Sequence, residues 1–377
     1  MTALAVVSIS ARMLAEAASD DGFEVVALDL FGDADTRRAC SEWHGIGEPA
    51  SLKIDGARLL SALQALAQRG RVAGWIAGSG FEGRPDLLES GAALLPLIGT
   101  QAEAMRRVRE PRAFFGFLDA RGIAHPAVRM TAPEDAAGWL VKDAHGCGGW
   151  HIRRAASSDA VGAHQYFQRE ASGRPMSATF IANGSDASVL GFNQLIVRPL
   201  AGRPFVFCGS VGPVPLPAGA GARVTATLRA LVEAFSLRGL GSLDFMLDGD
   251  AVDMLEVNPR PPASMALYGH GVVAAHVRAC VQGELPPWPA QVANASVNDL
   301  VRGTEVVFAP RRLWLDAPAT QRLAARAGCH DLPAAATGFE AGEPLCSVSA
   351  SGANAEHVRA LLQRGREAVH QSLETSG

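Results

Sequence analysis

The segment Gly241–Arg260 carries the residues best suited to chemistry: Asp244, Glu256, Asn258 and Arg260, set among apolar neighbours. Alternating apolar residues on either side of Asp248-Gly249-Asp250 predict a β-hairpin. Loop length decides which side chains share a face. A three-residue loop at 248–250 pairs Asp244 with Met254 and puts Asp244, Glu256 and Asn258 together; a two-residue loop sends Asp244 to the opposite face. In the first arrangement the two carboxylates are diagonal neighbours with Cβ atoms roughly 7–8 Å apart. Paired magnesium ions roughly 3.5–4 Å apart fit between such carboxylates. Asn258 adds a neutral oxygen, and Arg260, just past the strand, can clamp phosphate or carboxylate oxygens with its planar fork. The plainer alternative is a solvated hairpin face, against which stand the neighbours Phe245, Met246, Leu255 and Val257.

A second set is Lys142 followed by the turn Gly146-Cys147-Gly148-Gly149. A lysine at a strand end meets phosphate oxygens as a point charge, and glycines let backbone N–H groups close over them. No GK[ST] follows, so this is not a Walker A loop, and a flexible hairpin tip is the competing reading. Lys142 gains weight because only it and Lys53, among 34 basic residues, are lysines.

These residues need elements to hold them. Strands at Leu4–Ser10, Phe23–Asp29 and Val72–Ala77 alternate with helices at Ala11–Ala18 and Gly56–Arg69, which predicts a parallel sheet. Ligands favour the carboxyl ends of such strands, where Ser10, Arg12, Asp29 and the loop Gly78–Glu82 fall; tight turns and a capped helix explain the same residues equally well. From Gln101 onwards come helices at Ala102–Val108 and Pro111–Ala120, a strand-rich stretch over Met176–Phe207, a helix at Ala222–Phe235 and the acidic hairpin. Pro286-Pro287-Trp288-Pro289 reads as a linker before strands at Gly303–Ala309 and Pro344–Ser349 and a closing helix at Ala355–Leu373.

Composition excludes several classes. With 48% hydrophobic and 19% charged residues the chain builds cores, and a net charge of −4 offers no footprint for nucleic acid. Six scattered cysteines without a CxxC pair argue against a zinc site and a disulfide framework. The opening apolar run is short and lacks a basic region, and no stretch reaches 18 apolar residues, so the expectation is a cytoplasmic protein without a membrane partner.

Lys142 with its glycine loop, and about a hundred residues later Asp244…Glu256-Val-Asn258-Pro-Arg260, together resemble the ATP-grasp superfamily of carboxylate–amine ligases. The resemblance implies a mixed α/β and α+β fold: a Rossmann-like N-terminal parallel-sheet domain (1–100), an ATP-grasp domain (101–285, lobes about 101–165 and 166–285) and a small β-rich C-terminal extension (286–377). That extension is similar to those of ligases related to biotin carboxylase and carbamoyl-phosphate synthase. By the same resemblance Lys142 binds phosphate, Asp244, Glu256 and Asn258 hold two magnesium ions (manganese being a usable substitute), and Arg260 stabilises the transferring phosphoryl group. Gly146, Gly148 and Gly149 join the ATP site; Gln168, Arg169, Glu170 and Ala171 fall at the adenine-binding hinge, and Arg112 stands where the family has an earlier lysine. The hinge departs from the family's Glu-x-x-x-Glu-Gly at Gln168 and Ser172, leaving Ser172 or Glu170 for the ribose. Arg260, Ser264, Ser10 and Arg12 would receive substrate.

The implied reaction is amide formation through an acyl phosphate, with release of ADP and phosphate. Its partners are a small-molecule carboxylate and an amine, in an enzyme type that is frequently dimeric. Asp29-Leu-Phe-Gly-Asp33 adds a similarity to small amino-acid ligases, including the tyramine–glutamate ligase type of methanofuran synthesis, which implies an amino acid such as glutamate and a one-carbon cofactor pathway. The alternatives are a nucleotide-binding sensor or partner subunit without turnover, and a carboxylase or kinase on the same fold.

Overall fold

The computed structural model describes residues 3–156, 162–286, 300–334 and 336–374. Strands β1 (Ala3–Val7), β2 (Glu24–Asp29), β3 (Glu42–Gly45) and β4 (Val72–Ala77) form a parallel sheet in the order β3-β2-β1-β4. Every residue of β1 is buried because both faces are covered. Leu4 and Val6 cluster with Leu14, Ala15 and Ala18 of helix Arg12–Asp20, whereas Ala5 and Val7 cluster with Leu59, Leu63 and Leu66 of helix Gly56–Arg69. That second helix starts where the Asp55 carboxylate accepts from the amides of Ala57 and Arg58, and stops at Gly70, whose φ of +66° suits a residue without Cβ.

Helices Ala102–Arg109 and Pro111–Ala120 lead into a small antiparallel sheet of β5 (Val128–Arg129), β6 (Trp139–Asp143), β7 (Arg153–Arg154) and β8 (Gln165–Arg169), ordered β5-β8-β6-β7. The chain continues through β9 (Arg174–Asn183), β10 (Ala187–Leu200), β11 (Arg203–Gly212), helix Ala218–Phe235, β12 (Arg238–Asp248) and β13 (Ala251–Asn258). After helix Val272–Val281 come β14 (Val301–Phe308), β15 (Leu313–Leu315), β16 (Cys329–His330), β17 (Thr337–Phe339) and β18 (Pro344–Gly352), then helix Ala355–Glu374. The architecture is mixed α/β, as the sequence implies.

The C-terminal strands do not make a β layer of their own. β14 pairs with β11 (Gly209 opposite Glu305), so β14, β18 and β16 extend one eight-stranded sheet, ordered β13-β12-β9-β10-β11-β14-β18-β16. Among the described residues of this segment, only β15 and β17 stand apart, as a two-stranded ribbon. Residues 287–289 of the expected linker lie outside the described residues. No helix among those described is long and apolar enough to cross a membrane.

His276 joins three segments of this framework. Its Nδ1 accepts from the Leu240 amide (2.8 Å) and its Nε2 faces the Ile98 carbonyl (2.9 Å). Burial pushes the imidazole down to about 4, so the folded state holds it neutral. A folded value below the unfolded one near 6.5 means this contribution is complete above about pH 6.5 and is lost as pH falls toward 4. Denaturant unfolding across that window should show falling stability, with a shallower slope in His276→Gln; equal slopes would contradict the assignment.

Candidate active site

A cavity of about 2070 Å³ lies where the parallel sheet, the small sheet and the large sheet meet. Its acidic wall is the β12–β13 hairpin, built differently from the sequence expectation. Asp248 pairs with Ala251, leaving a two-residue loop, the length expected to send Asp244 to the wrong face. A bulge rescues the site: Phe245 pairs with Met254, but Asp244 pairs with Glu256 and Ser242 with Asn258. The extra residue, Leu255, changes the alternation, so Val252 and Met254 point into the core while Leu255, Glu256 and Asn258 line the cavity with Asp244. The two carboxylates are thus direct cross-strand neighbours instead of diagonal ones.

The cationic side comes from three places. Lys142 at the end of β6 is 4% exposed and donates to Gln168 Oε1 at 3.0 Å. Arg260 donates from Nε to Glu82 Oε1 at 2.8 Å, and Glu82 also accepts from the Gly80 amide in the loop after β4. Arg109, the last residue of helix Ala102–Arg109, donates to Glu256 Oε2 (3.2 Å) and to the carbonyls of Ala144 (2.8 Å) and Gly146 (2.7 Å). It therefore ties the glycine loop to the acidic hairpin. The loop is also held to β11: the Phe207 amide donates to Gly148 O at 2.9 Å. Gly149 has φ +77°, and a Cβ there would stand 1.8 Å from Phe205 O, so no other residue fits.

Electrostatics separates the two acids. Burial, reinforced by the charge of Glu256, pushes the Asp244 carboxyl up to about 7. Burial opposes ionisation of Glu256 as well, but Arg109, Lys142, His151 and Arg260 hold it down to about 2. Asn258 Nδ2 donates to Asp244 Oδ2 at 3.1 Å. Two carboxylates and an amide, with one acid destabilised by the other, form an oxygen donor set that fits a divalent cation such as magnesium. Cys147 is no candidate nucleophile, because burial pushes its thiol up to about 11.

The remaining sequence-derived residues divide. Gly146, Gly148, Gly149, Gln168, Arg169, Glu170, Ala171, Ser264 and Ser10 line the cavity. At the hinge, however, the Arg169 and Glu170 amides already donate to Ala127 O (2.8 Å) and Gly138 O (2.9 Å), and Arg169 Nη1 reaches Ala137 O. Glu170 pairs with Arg154, while Ser172 donates to Asp248 Oδ2 at 3.0 Å and is absent from the cavity wall. Arg112 is a correction: it sits exposed on the first turn of helix Pro111–Ala120, outside the cavity, and the buried arginine that bonds to the site's Glu256 and Gly146 is Arg109, which does not itself line the cavity. Arg12 is another: it is buried and spent on Asp331 (2.7 Å) and Glu16 (2.8 Å), with Ser347 alongside, and does not line the cavity. The turn after Arg260 is a five-residue 3₁₀ segment, Ala263–Leu267, in which Ser264 Oγ is hydrogen-bonded to Thr179 Oγ1 at 2.6 Å.

Residues 112–264 match the ATP-grasp domain family. No curated protein matches the chain by sequence. Among solved structures, an N5-carboxyaminoimidazole ribonucleotide synthetase in its ADP complex is 14% identical with a TM-score of 0.67, over 98% of this chain and 96% of that one. A biotin carboxylase from Campylobacter jejuni is 13% identical with a TM-score of 0.69, over 96% and 90%. The L-amino acid ligase from Bacillus licheniformis is 12% identical with a TM-score of 0.69, over 97% of each. At such identities the likeness is one of fold, and it runs through the C-terminal strands as well as the matched segment. Residues 112–264 are thus an ATP-grasp domain, set in a chain whose fold as a whole is shared with these enzymes.

Proposed function

We propose that the protein is an ATP-dependent carboxylate–amine ligase that activates a carboxylate as its acyl phosphate and transfers the acyl group to an amine, releasing ADP and phosphate. The observation that carries this reading is the meeting of Lys142 and Arg260 with Asp244, Glu256 and Asn258 across one cleft, with Arg109 bonded to Glu256 behind its wall and without an activated nucleophile beside them. Phosphoryl transfer needs positioning and charge neutralisation more than a side-chain nucleophile, and this cleft supplies both. Magnesium bound by Asp244, Glu256 and Asn258 would neutralise phosphate oxygens. Lys142 meets the phosphates as a point charge, and the loop Gly146–Gly149 covers them. Arg260, oriented through Nε by Glu82, turns the rest of its fork toward the acceptor carboxylate and the transferring group. Arg109 keeps the loop and Glu256 in register. An amino acid such as glutamate is our choice of carboxylate, on the sequence resemblance.

The test is mass spectrometry of the purified protein with Mg-ATP and a pool of amino acids, small amines and carboxylates. The expected result is ADP together with a new mass equal to two components minus water. ADP formation that requires bicarbonate, or no amine, would replace the ligase with a carboxylase or kinase. Nucleotide binding without turnover would replace it with a sensor.

A further inference from the structure

Beside the strand ends of the parallel sheet, at the edge of the cleft, lies a cluster of negative charge that the phosphate site does not use; of its members Asp33 and Asp331 line the cavity. Asp29, Asp33 and Asp35 follow one another at the end of β2, Glu16 projects from helix Arg12–Asp20, and Asp331 arrives from the C-terminal strands. Most of these are satisfied. Asp29 accepts from the amides of Ala11 (3.0 Å) and Gly32 (2.8 Å) and from Trp43 Nε1 (2.8 Å). Asp331, at a left-handed φ of 57°, is bound by Arg12 Nε at 2.7 Å and by Ser347, and its own amide donates to Asp35 Oδ2 at 2.8 Å. Among the described residues, Arg12 is the one arginine paired with members of this group.

Asp33 is the exception. It is 6% exposed and lines the cavity, yet among the described residues its carboxylate has no ion-pair partner, and it does not cap the helix Ala34–Arg38 that it precedes. Asp35 Oδ1, two residues away, is buried without a hydrogen-bond partner. A nearly buried carboxylate without a counter-charge is costly to ionise, and a cation arriving in the cavity would relieve that cost. Burial, with the charges of Asp331, Asp29 and Asp35, pushes the Asp33 carboxyl up to about 8, as expected where one positive group is missing. A metal ion is the weaker occupant: Glu16, Asp35 and His330 place ligand atoms within 4.8 Å of one another, but the Arg12 guanidinium already sits among them, 2.8 Å from Glu16 and 3.7 Å from Asp35. Met13 and Phe31 line the same cavity, so a hydrocarbon body has apolar surface to cover.

We propose that Asp33 anchors the ammonium group of a primary alkyl- or arylalkylamine, placing the amine substrate at the junction of the N-terminal sheet and the C-terminal strands. This rests on the ligase reading for its purpose, but its test needs no turnover.

The full-length protein is titrated calorimetrically with n-butylammonium and benzylammonium chloride, and with butanol and benzyl alcohol as uncharged counterparts. Wild type is expected to bind at least one ammonium probe tenfold or more tightly than the matching alcohol. Asp33→Asn should lose roughly tenfold to a hundredfold of that affinity, the scale of a charge-assisted hydrogen bond in a buried site, while retaining ATP affinity. Equal ammonium affinity in D33N and wild type would overturn the proposal, as would equal affinity for amine and alcohol, or no ammonium binding by wild type. Binding of manganese that Asp35→Asn abolishes, with amines inert, would assign the cluster to a metal instead. If D33N does not fold, the amine-against-alcohol preference of wild type decides. Loss of ADP formation with intact ammonium binding would remove the ligase reading and leave the Asp33 site standing.

Discussion

Replacing Lys142 by alanine, or Glu256 by glutamine, is expected to lower magnesium-dependent ADP formation by at least roughly 10²-fold, the scale of removing one preorganised charge or donor from a transition state. Lys142 is 4% exposed, and its position is fixed by Gln168, so nothing nearby replaces its ammonium. Glu256 matters twice. It is the acid that its surroundings keep ionised, the one best placed to hold a cation, and it is the carboxylate to which Arg109 anchors the glycine loop. Asp244→Asn removes one of the two carboxylates facing the proposed cation while Glu256 and Asn258 remain, so it should raise the magnesium requirement more than it lowers the rate at saturating magnesium. Steady-state ADP release, measured on variants whose circular dichroism matches wild type, checks all three. Near-normal rates in both K142A and E256Q would remove the site assignment.

What the sequence reveals here depends on how local the cause is. Helix Gly56–Arg69 is legible to the residue because Asp55, Gly70 and the apolar positions 59, 63 and 66 all act within one segment. The acidic hairpin is legible by residue type but not by register. The alternation around 248–250 specifies a hairpin, whereas the bulge at Leu255 is settled by packing of Val252, Met254 and Val257 in the core on one face and the carboxylates on the other. Arg109 escapes because it ends a run with Arg106 and Arg107 that looks like a solvated face. The usable signal is its position, four residues after buried Met105 and seven after buried Ala102, which puts it on the inner side of the helix. Arg112, three residues on, lies past the helix break and points outward. Arg12 and the β11–β14 pairing depend on contacts with residues near 305 and 331, beyond the reach of any local pattern.

The Arg260–Glu82 pair joins the two ends of the chain's chemistry, and breaking it should have the largest effect on stability. Glu82 is 4% exposed, and although burial works against its charge, Arg260 and Arg109 hold its carboxyl below the usual range. Glu82→Gln preserves shape but leaves the Arg260 guanidinium short of its counter-charge, a loss of about 3–5 kcal/mol for a buried pair reduced to one member. ADP formation should fall as well, because Glu82 sets the orientation of Arg260. The double variant Glu82→Gln with Arg260→Gln separates the two effects. Denaturant midpoints should show it less destabilised than the two single changes added together, since no unpaired charge remains, while its ADP formation stays as low as that of Arg260→Gln alone. Additive losses of stability would mean that the two residues act independently, and that the loop after β4 does not position the arginine on which the proposed phosphoryl transfer depends.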